Sequence, residues 1–373
     1  MKKALLPLLL VIPLVSCQAP QSINLLNPEI KGHYTEAQLN YLSNDDPSNT
    51  SPYNGNMSVS KPVPITISWE SNREISYSLE LYKDESLSAD SLIITYQTNE
   101  TSFDFYNPVF NQKYYARVMG YKAHSSEKFE PSNVISFERS QSVKGPRNVY
   151  VDGVENFRDI GGWGYIKQGM LYRSGRFNED KALRPTPTIT KQGIHEVIHN
   201  LGIKTEIDLR RVSTNEVGSL TNESVLAPFI NYFQLPMAYG GNNILTFKGK
   251  LSDDDFEYDN PGQIKWFFKY LSEEENYPIA FHCSIGKDRT GCLAYLVEGL
   301  LGFDQETMYR DYMFTNFADA GMCKLTDITD RYGKTLDDYE SGSTLQEKVY
   351  NYLNQEIGVP TEYLDKVINI LKA

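Results

Sequence analysis

The residues best suited to chemistry lie in one short loop, HCSIGKDRTG at residues 282–291. Cys283 stands near its start, Arg289 follows as in Cys-x5-Arg, and Gly286 lies between them. An apolar strand pattern, PIAF, precedes the loop, and a helical pattern follows it. The inward N–H groups of such a loop, together with the positive end of the helix, bind the oxygens of a phosphate group. The sequence therefore predicts a phosphate-binding loop with a cysteine at its base.

The cysteine and the arginine of this loop have complementary chemistry. Arg289 can hold two phosphate oxygens through its planar guanidinium. The same positive field favours the thiolate of Cys283, which can attack phosphorus and form a cysteinyl-phosphate that water then hydrolyses. We expect the Thr290 hydroxyl to donate to the sulfur and His282 to orient the base of the loop. The residues expected to contact the phosphate are Ser284, Ile285, Gly286, Lys287 and Arg289.

A competing motif, HEVIH at residues 195–199, has the form of a zinc-protease site. The extended pattern requires a third ligand three residues after Gly202, but Thr205 occupies that position. The apolar stripe of this helix runs through Val197 and Leu201 and leaves both histidines largely off it. We therefore predict that the two histidines face solvent or a domain edge rather than a metal.

The rest of the chain must supply more than one folded unit, because 373 residues exceed a typical single core. The net charge of -12 disfavours binding to nucleic acid or to anionic membranes by charge. Residues 148–373 alternate strand and helix patterns, which predicts an α/β domain with a mostly parallel central sheet flanked by helices. Residues 59–140 hold short runs with period-2 alternation, which predicts an all-β sandwich ahead of that domain.

The N-terminal residues have the pattern of an export signal. Residues 1–16 combine a basic start with a short apolar run that ends in LVSC at Cys17. This resembles the lipobox of bacterial lipoprotein signal peptides, which implies cleavage before Cys17, a lipid on its sulfur and a membrane-anchored location in the cell envelope, periplasmic or surface-exposed. Residues 17–58 are rich in Asn, Ser and Pro, and we predict that most of them form a polar spacer, with room for short ordered pieces around HYTEAQLNYL at residues 33–42.

The predicted sandwich at residues 59–140 resembles a fibronectin type III domain. Trp69 lies in an early strand, and an aromatic-rich stretch, NPVFNQKYYARV, follows later. The resemblance implies that Tyr114 or Tyr115 forms a tyrosine corner, in which the hydroxyl binds the backbone a few residues upstream. The segment holds no catalytic grouping, so a spacer or an interaction module is its simplest interpretation.

Five blocks of the C-terminal half resemble, in order, those of the bacterial atypical (PtpB-like) cysteine-dependent tyrosine phosphatases. They are ENFRDIGGW at 155–163, GMLYRSGRF at 169–177, LGIKTEIDLRR at 201–211, FHCSIGKDRTG at 281–291 and YRDYMFTN at 309–316. The resemblance covers about residues 148 to 373. It implies the Cys-x5-Arg phosphatase fold and hydrolysis of phosphotyrosine, with dual specificity toward phosphoserine or phosphoinositides left open. It also implies that no metal or other cofactor is needed.

The leaving oxygen needs a general acid, and the resemblance implies Asp288, inside the loop, for this role. Asp208, at the end of the TEIDL strand, is a second candidate, because active sites of α/β proteins gather at strand ends. An equally good interpretation makes Asp208 the partner of a basic residue. We expect Arg158, Asp159 and Arg173 to brace the loop through ion pairs.

The sequence is compatible with three functions. The first is a phosphatase for phosphotyrosine-type substrates, whose partner would be a phosphorylated protein or a small phosphate ester. Lys287 resembles the lysine of lipid-phosphatase loops, which keeps a phosphoinositide or inositol-phosphate phosphatase open. The acidic segment at residues 236–262 would disfavour highly anionic substrates if it formed a lid over the site. In a non-enzymatic binding lipoprotein, the sandwich would carry the function instead.

Overall fold

The structure, a computed structural model, describes most of the chain. The predicted signal peptide at residues 1–16 and the predicted lipidation site Cys17 lie outside the described residues. Within the part that is described, no helix is both long and apolar enough to cross a membrane. The described ranges are 23–50, 57–71, 75–122, 127–178, 189–212, 222–239, 244–318 and 323–373.

The N-terminal unit is a sandwich of two antiparallel sheets. Its strands are β1 (Ile23–Leu25), β2 (Ile65–Ser71), β3 (Ser76–Tyr82), β4 (Leu92–Thr98), β5 (Ser102–Phe105), β6 (Lys113–Tyr121) and β7 (Ile135–Glu138). One sheet has the order β1–β2–β5, and the other has the order β4–β3–β6–β7. The predicted sandwich is therefore present. Its first strand, β1, lies before residue 59, where the sandwich was predicted to begin.

The alternating pattern buries one face of each sandwich strand, as predicted. Ile65, Ile67 and Trp69 of β2 are at most 3% exposed, and the Trp69 ring packs edge-to-face on Tyr77 of β3 with 5.3 Å between centroids. The Tyr114 hydroxyl accepts a hydrogen bond of 2.9 Å from the backbone N–H of the residue five positions upstream. Of the two tyrosines proposed for a tyrosine corner, Tyr114 thus makes the contact that defines one.

The segment predicted to be a polar spacer, residues 17–58, is folded over much of its length. β1 pairs with β2, and a helix, α1 (Glu36–Leu42), packs on the core of the second unit. Tyr41 is 2% exposed, and its hydroxyl donates to the carbonyl oxygen of Arg310 at 3.1 Å. The spacer prediction was wrong for β1, which is part of the sandwich, whereas α1 lies in the HYTEAQLNYL stretch that the sequence left open for an ordered piece. A short helix, α2 (Met57–Ser60), follows.

The second unit is built on a six-stranded sheet. Its strands are β8 (Arg147–Asn148), β9 (Arg158–Asp159), β10 (Leu171–Ser174), β11 (Thr205–Asp208), β12 (Asn231–Gln234) and β15 (Ile279–His282), and a separate hairpin holds β13 (Lys248–Lys250) and β14 (Glu257–Asp259). The order is β12–β11–β15–β10–β9–β8. β12, β11, β15 and β10 run parallel, whereas β9 pairs antiparallel with β10 on one side and with β8 on the other. The sheet is therefore mixed, and the predicted parallel arrangement describes its larger part.

Helices cover both faces of this sheet. They are α3 (Lys191–His195), α4 (Asn260–Leu271), α5 (Asp288–Leu300), α6 (Gln305–Phe314), α7 (Leu325–Ile328), α8 (Lys334–Asp337), α9 (Leu345–Gln355) and α10 (Thr361–Leu371). On β15, Ile279 and Phe281 join the large core that holds α4 to α6. The residue between them, Ala280, joins the smaller core beneath α3. Period-2 alternation thus places β15 between two apolar layers, which fixes the position of the loop that follows it.

Candidate active site

The Cys-x5-Arg loop lies where three parallel strands end together. Ser174 of β10 and Asp208 of β11 pair in register with His282, the last residue of β15. The loop then leads directly into α5, as predicted. Cys283 and Arg289 are 1% and 3% exposed, so both reactive groups are enclosed at this edge of the sheet. The structure therefore brings together the two residues on which the sequence prediction depends.

Gly286 allows the loop to turn at its centre. Its φ angle is 72°, in the left-handed region that other residues rarely adopt. A Cβ atom at this position would lie 2.5 Å from the carbonyl oxygen of Ser174. Both the backbone angle and the close approach of β10 therefore require glycine here.

Two donors hold the outer side of the loop. Arg173 Nη2 donates to the carbonyl oxygen of Gly286 at 2.9 Å. Asn156 Nδ2 donates to the carbonyl oxygens of Ile285 and Gly286 at 3.2 and 3.1 Å. Because the N–H of each following peptide points opposite to the carbonyl, the N–H groups of Gly286 and Lys287 point to the other side. These contacts give the loop the shape that a phosphate requires.

A third donor fixes the first part of the loop. Arg176 Nη1 lies 3.0 Å from both the carbonyl oxygen and the hydroxyl oxygen of Ser284. The sequence analysis did not single out Arg176 or Asn156. Both lie within the quoted family blocks, so their position in those blocks was the available signal.

The predicted brace by Arg158 runs through a residue that the sequence analysis missed. Arg158 Nε donates to Oδ1 of Asp311 at 2.8 Å, and Arg173 Nη1 binds the other oxygen of the same carboxylate. Burial opposes ionisation of Asp311, but the charges of the two arginines outweigh it and lower its pKa. Asp311 therefore connects α6 to the strands that support the loop.

Asp159 does not play the predicted role. Its Oδ2 accepts from Arg147 Nη2 at 2.9 Å, and its Oδ1 accepts from the backbone N–H of Gly161 at 2.8 Å. It also accepts from the N–H of Gly169 at 2.6 Å. The prediction that Asp159 braces the loop was wrong. Its side chain faces the β8 edge of the sheet, where it accepts hydrogen bonds from the turn after β9.

Asp208 is engaged by an arginine two residues along the chain. Arg210 Nε lies 2.9 Å from both carboxylate oxygens, and the Tyr232 hydroxyl donates to Oδ2 at 2.8 Å. Burial opposes ionisation of Asp208, but the charges of His282 and Arg210 outweigh it and lower the pKa of Asp208 to about 2. The structure therefore contradicts Asp208 as general acid and supports its alternative role as the partner of a basic residue.

His282 is buried and oriented by a carboxylate. Its Nε2 lies 2.8 Å from Oε1 of Glu206, and its Nδ1 lies 3.1 Å from the carbonyl oxygen of Cys283. Glu206, Asp208 and His282 are the one group among the described residues whose donor atoms could together hold a metal ion. Their oxygens already accept from Arg210, Tyr232 and Ser224 as well as from the histidine. Glu206, Asp208 and His282 thus form part of an internal network of ion pairs and hydrogen bonds. We infer that His282 positions the loop.

Thr290 differs from its prediction. Its hydroxyl oxygen is buried and has no hydrogen-bond partner among the described residues, the Cys283 sulfur included. The prediction of a Thr290–sulfur hydrogen bond was therefore wrong for this structure.

The two charged residues at the end of the loop each bind an opposite charge. Lys287 Nζ lies 3.1 Å from Oδ2 of Asp327, and Oδ1 of Asp288 lies 2.7 Å from Nη1 of Arg331. Burial lowers the pKa of the Lys287 ammonium, but nearby acidic groups, chiefly Cys323 and Asp288, outweigh burial and raise it. The segment from α7 to Arg331 therefore fixes both side chains beside the loop, which the sequence analysis did not foresee.

Arg289 is held in place by backbone carbonyls and an aromatic ring. Its Nη1 donates to the carbonyl oxygens of Leu209 and Met237 at 3.2 and 3.3 Å. The guanidinium carbon lies 4.8 Å from the centroid of the Tyr239 ring. These contacts orient the guanidinium group of Arg289 before any phosphate binds, as preorganised electrostatic catalysis requires.

The HEVIH segment lies at the boundary between the two units, as predicted. The rings of His195 and His199 are 4.7 Å apart, and His199 is exposed. Glu196 between them is buried and accepts hydrogen bonds of 2.6 Å from Tyr96 and from Asn107 of the sandwich. The motif therefore joins the sandwich to the second unit through the carboxylate of Glu196.

The segment at residues 236–262 is more ordered than its composition suggests. Residues 240–243 lie outside the described residues, and β13 and β14 form a hairpin further on. Asp253, between these strands, forms an ion pair with Arg211. Part of the negative charge predicted for a lid is therefore neutralised within the chain.

Comparison with known proteins gives a match for the second unit. The sequence model described as the tyrosine phosphatase family matches residues 149–373. A Cupriavidus necator protein provisionally named a tyrosine-protein phosphatase is 24% identical over 203 residues, which cover 48% of this chain and 67% of that relative. The structure of P. aeruginosa TpbA in complex with pTyr is 13% identical, with a TM-score of 0.31, covering 52% of this chain and 90% of that one. The catalytic core of the PP-IP phosphatase SIW14 from S. cerevisiae, in complex with citrate, is 16% identical, with a TM-score of 0.28, covering 52% and 87%.

Proposed function

The chain belongs to the tyrosine phosphatase family through residues 149–373, and from this premise we propose that it hydrolyses phosphotyrosine-type monoesters through a cysteinyl-phosphate intermediate. The observation that carries the proposal is the enclosed loop in which Cys283 and Arg289 stand together at the ends of parallel strands. Gly286 gives the loop its turn, and Arg173 and Asn156 hold it from outside.

In the first step, the Cys283 thiolate attacks phosphorus, and the bond from phosphorus to the ester oxygen breaks. Asp288 gives a proton to the leaving oxygen, so the alcohol departs neutral. Arg289 and the loop N–H groups stabilise the charge on the three oxygens that stay with phosphorus. In the second step, water attacks the cysteinyl-phosphate, the S–P bond breaks, and Asp288 takes a proton from the water. The products are inorganic phosphate and the free thiolate.

We assign the acid role to Asp288 because of its place in the loop. It is the first residue of α5, and Arg331 fixes its carboxyl group at 2.7 Å. Asp208 is fully buried, and Arg210 and Tyr232 both bind its carboxylate, whereas the Asp288 side chain is 20% exposed at the loop and binds Arg331 through Oδ1. Asp288 is therefore the carboxyl group in the proposed mechanism.

The phosphoinositide or inositol-phosphate alternative depended on a free positive charge at Lys287. That ammonium is paired with Asp327 at 3.1 Å, which reduces its attraction for a second phosphate. This contact favours the phosphotyrosine-type substrate over the inositol phosphates.

We further propose that the mature protein is a lipoprotein of the cell envelope, anchored through Cys17, with the sandwich as a fibronectin type III-like spacer or interaction module. The LVSC sequence at the end of the apolar run supports the anchor. Cys17→Ser tests it: we expect the wild-type chain in the membrane fraction of a bacterial host and the variant released from it. Equal release of both chains would contradict the anchor.

The proposed chemistry is tested with p-nitrophenyl phosphate and the full chain. We expect Cys283→Ser to abolish turnover, because a serine hydroxyl is a poor nucleophile in this setting. Cys292→Ala is the matched control, since Cys292 is buried inside α5 and has no role in the proposed steps. Turnover should also persist in a metal chelator. Turnover that survives Cys283→Ser would contradict the cysteine mechanism.

A further inference from the structure

A second arginine lies near the catalytic loop, and the proposed chemistry does not use it. Arg211 follows β11, and its side chain is 4% exposed. Its Nη1 and Nη2 each donate to one carboxylate oxygen of Asp253, at 3.0 and 3.2 Å. A guanidinium uses the same two-pronged contact for a carboxylate and for a phosphate. The site is therefore already shaped for an anion.

Tyr239 connects this arginine to the catalytic arginine. The guanidinium carbon of Arg211 lies 5.4 Å from the centroid of the Tyr239 ring, and that of Arg289 lies 4.8 Å from it. Both guanidinium groups therefore contact one aromatic ring, which is 41% exposed. Because both guanidinium carbons lie within 5.4 Å of the same ring centroid, Arg211 is a neighbouring cation for a phosphate held by Arg289.

Arg211 and Asp253 differ in the solvation that they would have if their ion pair broke. Arg211 is enclosed, so it requires an anion as partner. Asp253 lies in the connection between β13 and β14, and its side chain is 51% exposed. An exposed carboxylate is hydrated again when it leaves the arginine. Its replacement by another anion therefore requires little free energy. Asp253 is thus the replaceable member of the pair.

We propose that Arg211 is a second anion subsite, filled by Asp253 in the resting chain and taken over by a second anionic group of the substrate. The preferred substrates are then phosphate monoesters that carry a further carboxylate or phosphate. An acidic residue next to phosphotyrosine and a second phosphate on an inositol ring share this chemistry. The inference rests on the proposed phosphatase function, because the first phosphate must occupy the Cys283 loop.

The test compares Asp253→Asn with Asp255→Asn in the full chain. Asp255 is exposed in the same connection, so its substitution removes the same charge from the same region. One substrate pair is a phosphotyrosine peptide with or without an adjacent aspartate, and the other is an inositol bisphosphate with its monophosphate. The readout is the ratio of kcat/KM within each pair. Because asparagine competes for Arg211 without a charge, we expect this ratio to rise about tenfold in Asp253→Asn only.

A rise in the peptide pair identifies acidic peptides as the source of the second anion, and a rise in the inositol pair identifies inositol phosphates. An unchanged ratio in both pairs, or an equal rise in Asp255→Asn, overturns the subsite. In either of these cases turnover of p-nitrophenyl phosphate still depends on Cys283. Loss of that dependence would instead overturn the proposed function, so the two failures are distinguishable.

Discussion

Arg173 donates a hydrogen bond of 2.9 Å to the carbonyl oxygen of Gly286, so a side chain of β10 sets the shape of the loop that holds the cysteine. The other side of the same guanidinium binds Asp311, which also binds Arg158. One planar group therefore connects the loop, a strand and helix α6. Lysine has the charge of arginine but lacks this planar fork.

We expect Arg173→Lys to lower kcat about 10- to 100-fold, the range seen when residues that support a site are changed. The ammonium cannot bind Asp311 and the Gly286 carbonyl in the same geometry. Arg117→Lys is the matched control, because Arg117 binds Glu80 in the sandwich at 2.6 Å, away from the loop. Steady-state kinetics of both variants measure the effect. Equal activity of the two variants would show that the loop does not depend on Arg173.

Asp208 should contribute to stability rather than to proton transfer. Its pKa of about 2 lies below the usual value of about 3.9, so its charged form stabilises the fold above about pH 4, and this contribution is lost as the pH falls toward 2. Near neutral pH the difference between the two pKa values corresponds to about 2 to 3 kcal/mol of stability. We expect Asp208→Asn to lower the free energy of unfolding at pH 7 by at least this amount, and the loss to shrink below about pH 4.

Urea denaturation of the wild-type chain and the variant at several pH values measures this loss. The control is Asp338→Asn, which breaks an exposed pair with Lys334 and should lower the free energy of unfolding far less than Asp208→Asn does. A loss that does not depend on pH would show that the charge of Asp208 is not what stabilises the fold.

The acid role of Asp288 predicts a dependence on the leaving group. Asp288→Asn should slow hydrolysis of an alkyl phosphate far more than that of p-nitrophenyl phosphate, because nitrophenolate leaves without a proton. Asp330→Asn is the control, since Asp330 is exposed in the segment that holds Arg331. The measurement is kcat/KM over a series of leaving groups. A uniform loss for good and poor leaving groups would remove Asp288 as the acid.

The cysteines should differ in reactivity. Burial raises the pKa of the Cys292 thiol, and burial together with Asp288 outweighs Lys287 and raises the pKa of the Cys323 thiol to about 11. At pH 7 both are protonated, whereas the proposed mechanism requires a thiolate at Cys283, so iodoacetamide should modify Cys283 first, and inorganic phosphate should slow the reaction. Peptide mapping by mass spectrometry identifies the site. Earlier labelling of Cys323 would mean that this thiol, and not the loop cysteine, is the activated one.

The sequence predicted the residues of the site that lie close together in the chain. It missed many of the residues that reach the site from elsewhere in the chain. Cys283 and Arg289 lie in one loop whose flanking strand and helix patterns are visible in the sequence. The contact of Asp311 with Arg158 joins residues far apart in the chain, and no periodicity reports it. The sequence left room for an ordered piece around Tyr41, but the contact that buries Tyr41 against the second unit again joins residues far apart in the chain.

The central claim is that phosphate passes through the Cys283 sulfur, and rapid quenching tests this most directly. The full chain is mixed with a ³²P-labelled aryl phosphate and quenched in acid within a few turnovers, and its peptides are then mapped. The mechanism predicts label on the peptide that holds Cys283 and none in Cys283→Ser. Hydrolysis with no labelled cysteine, or label that persists in Cys283→Ser, would contradict it.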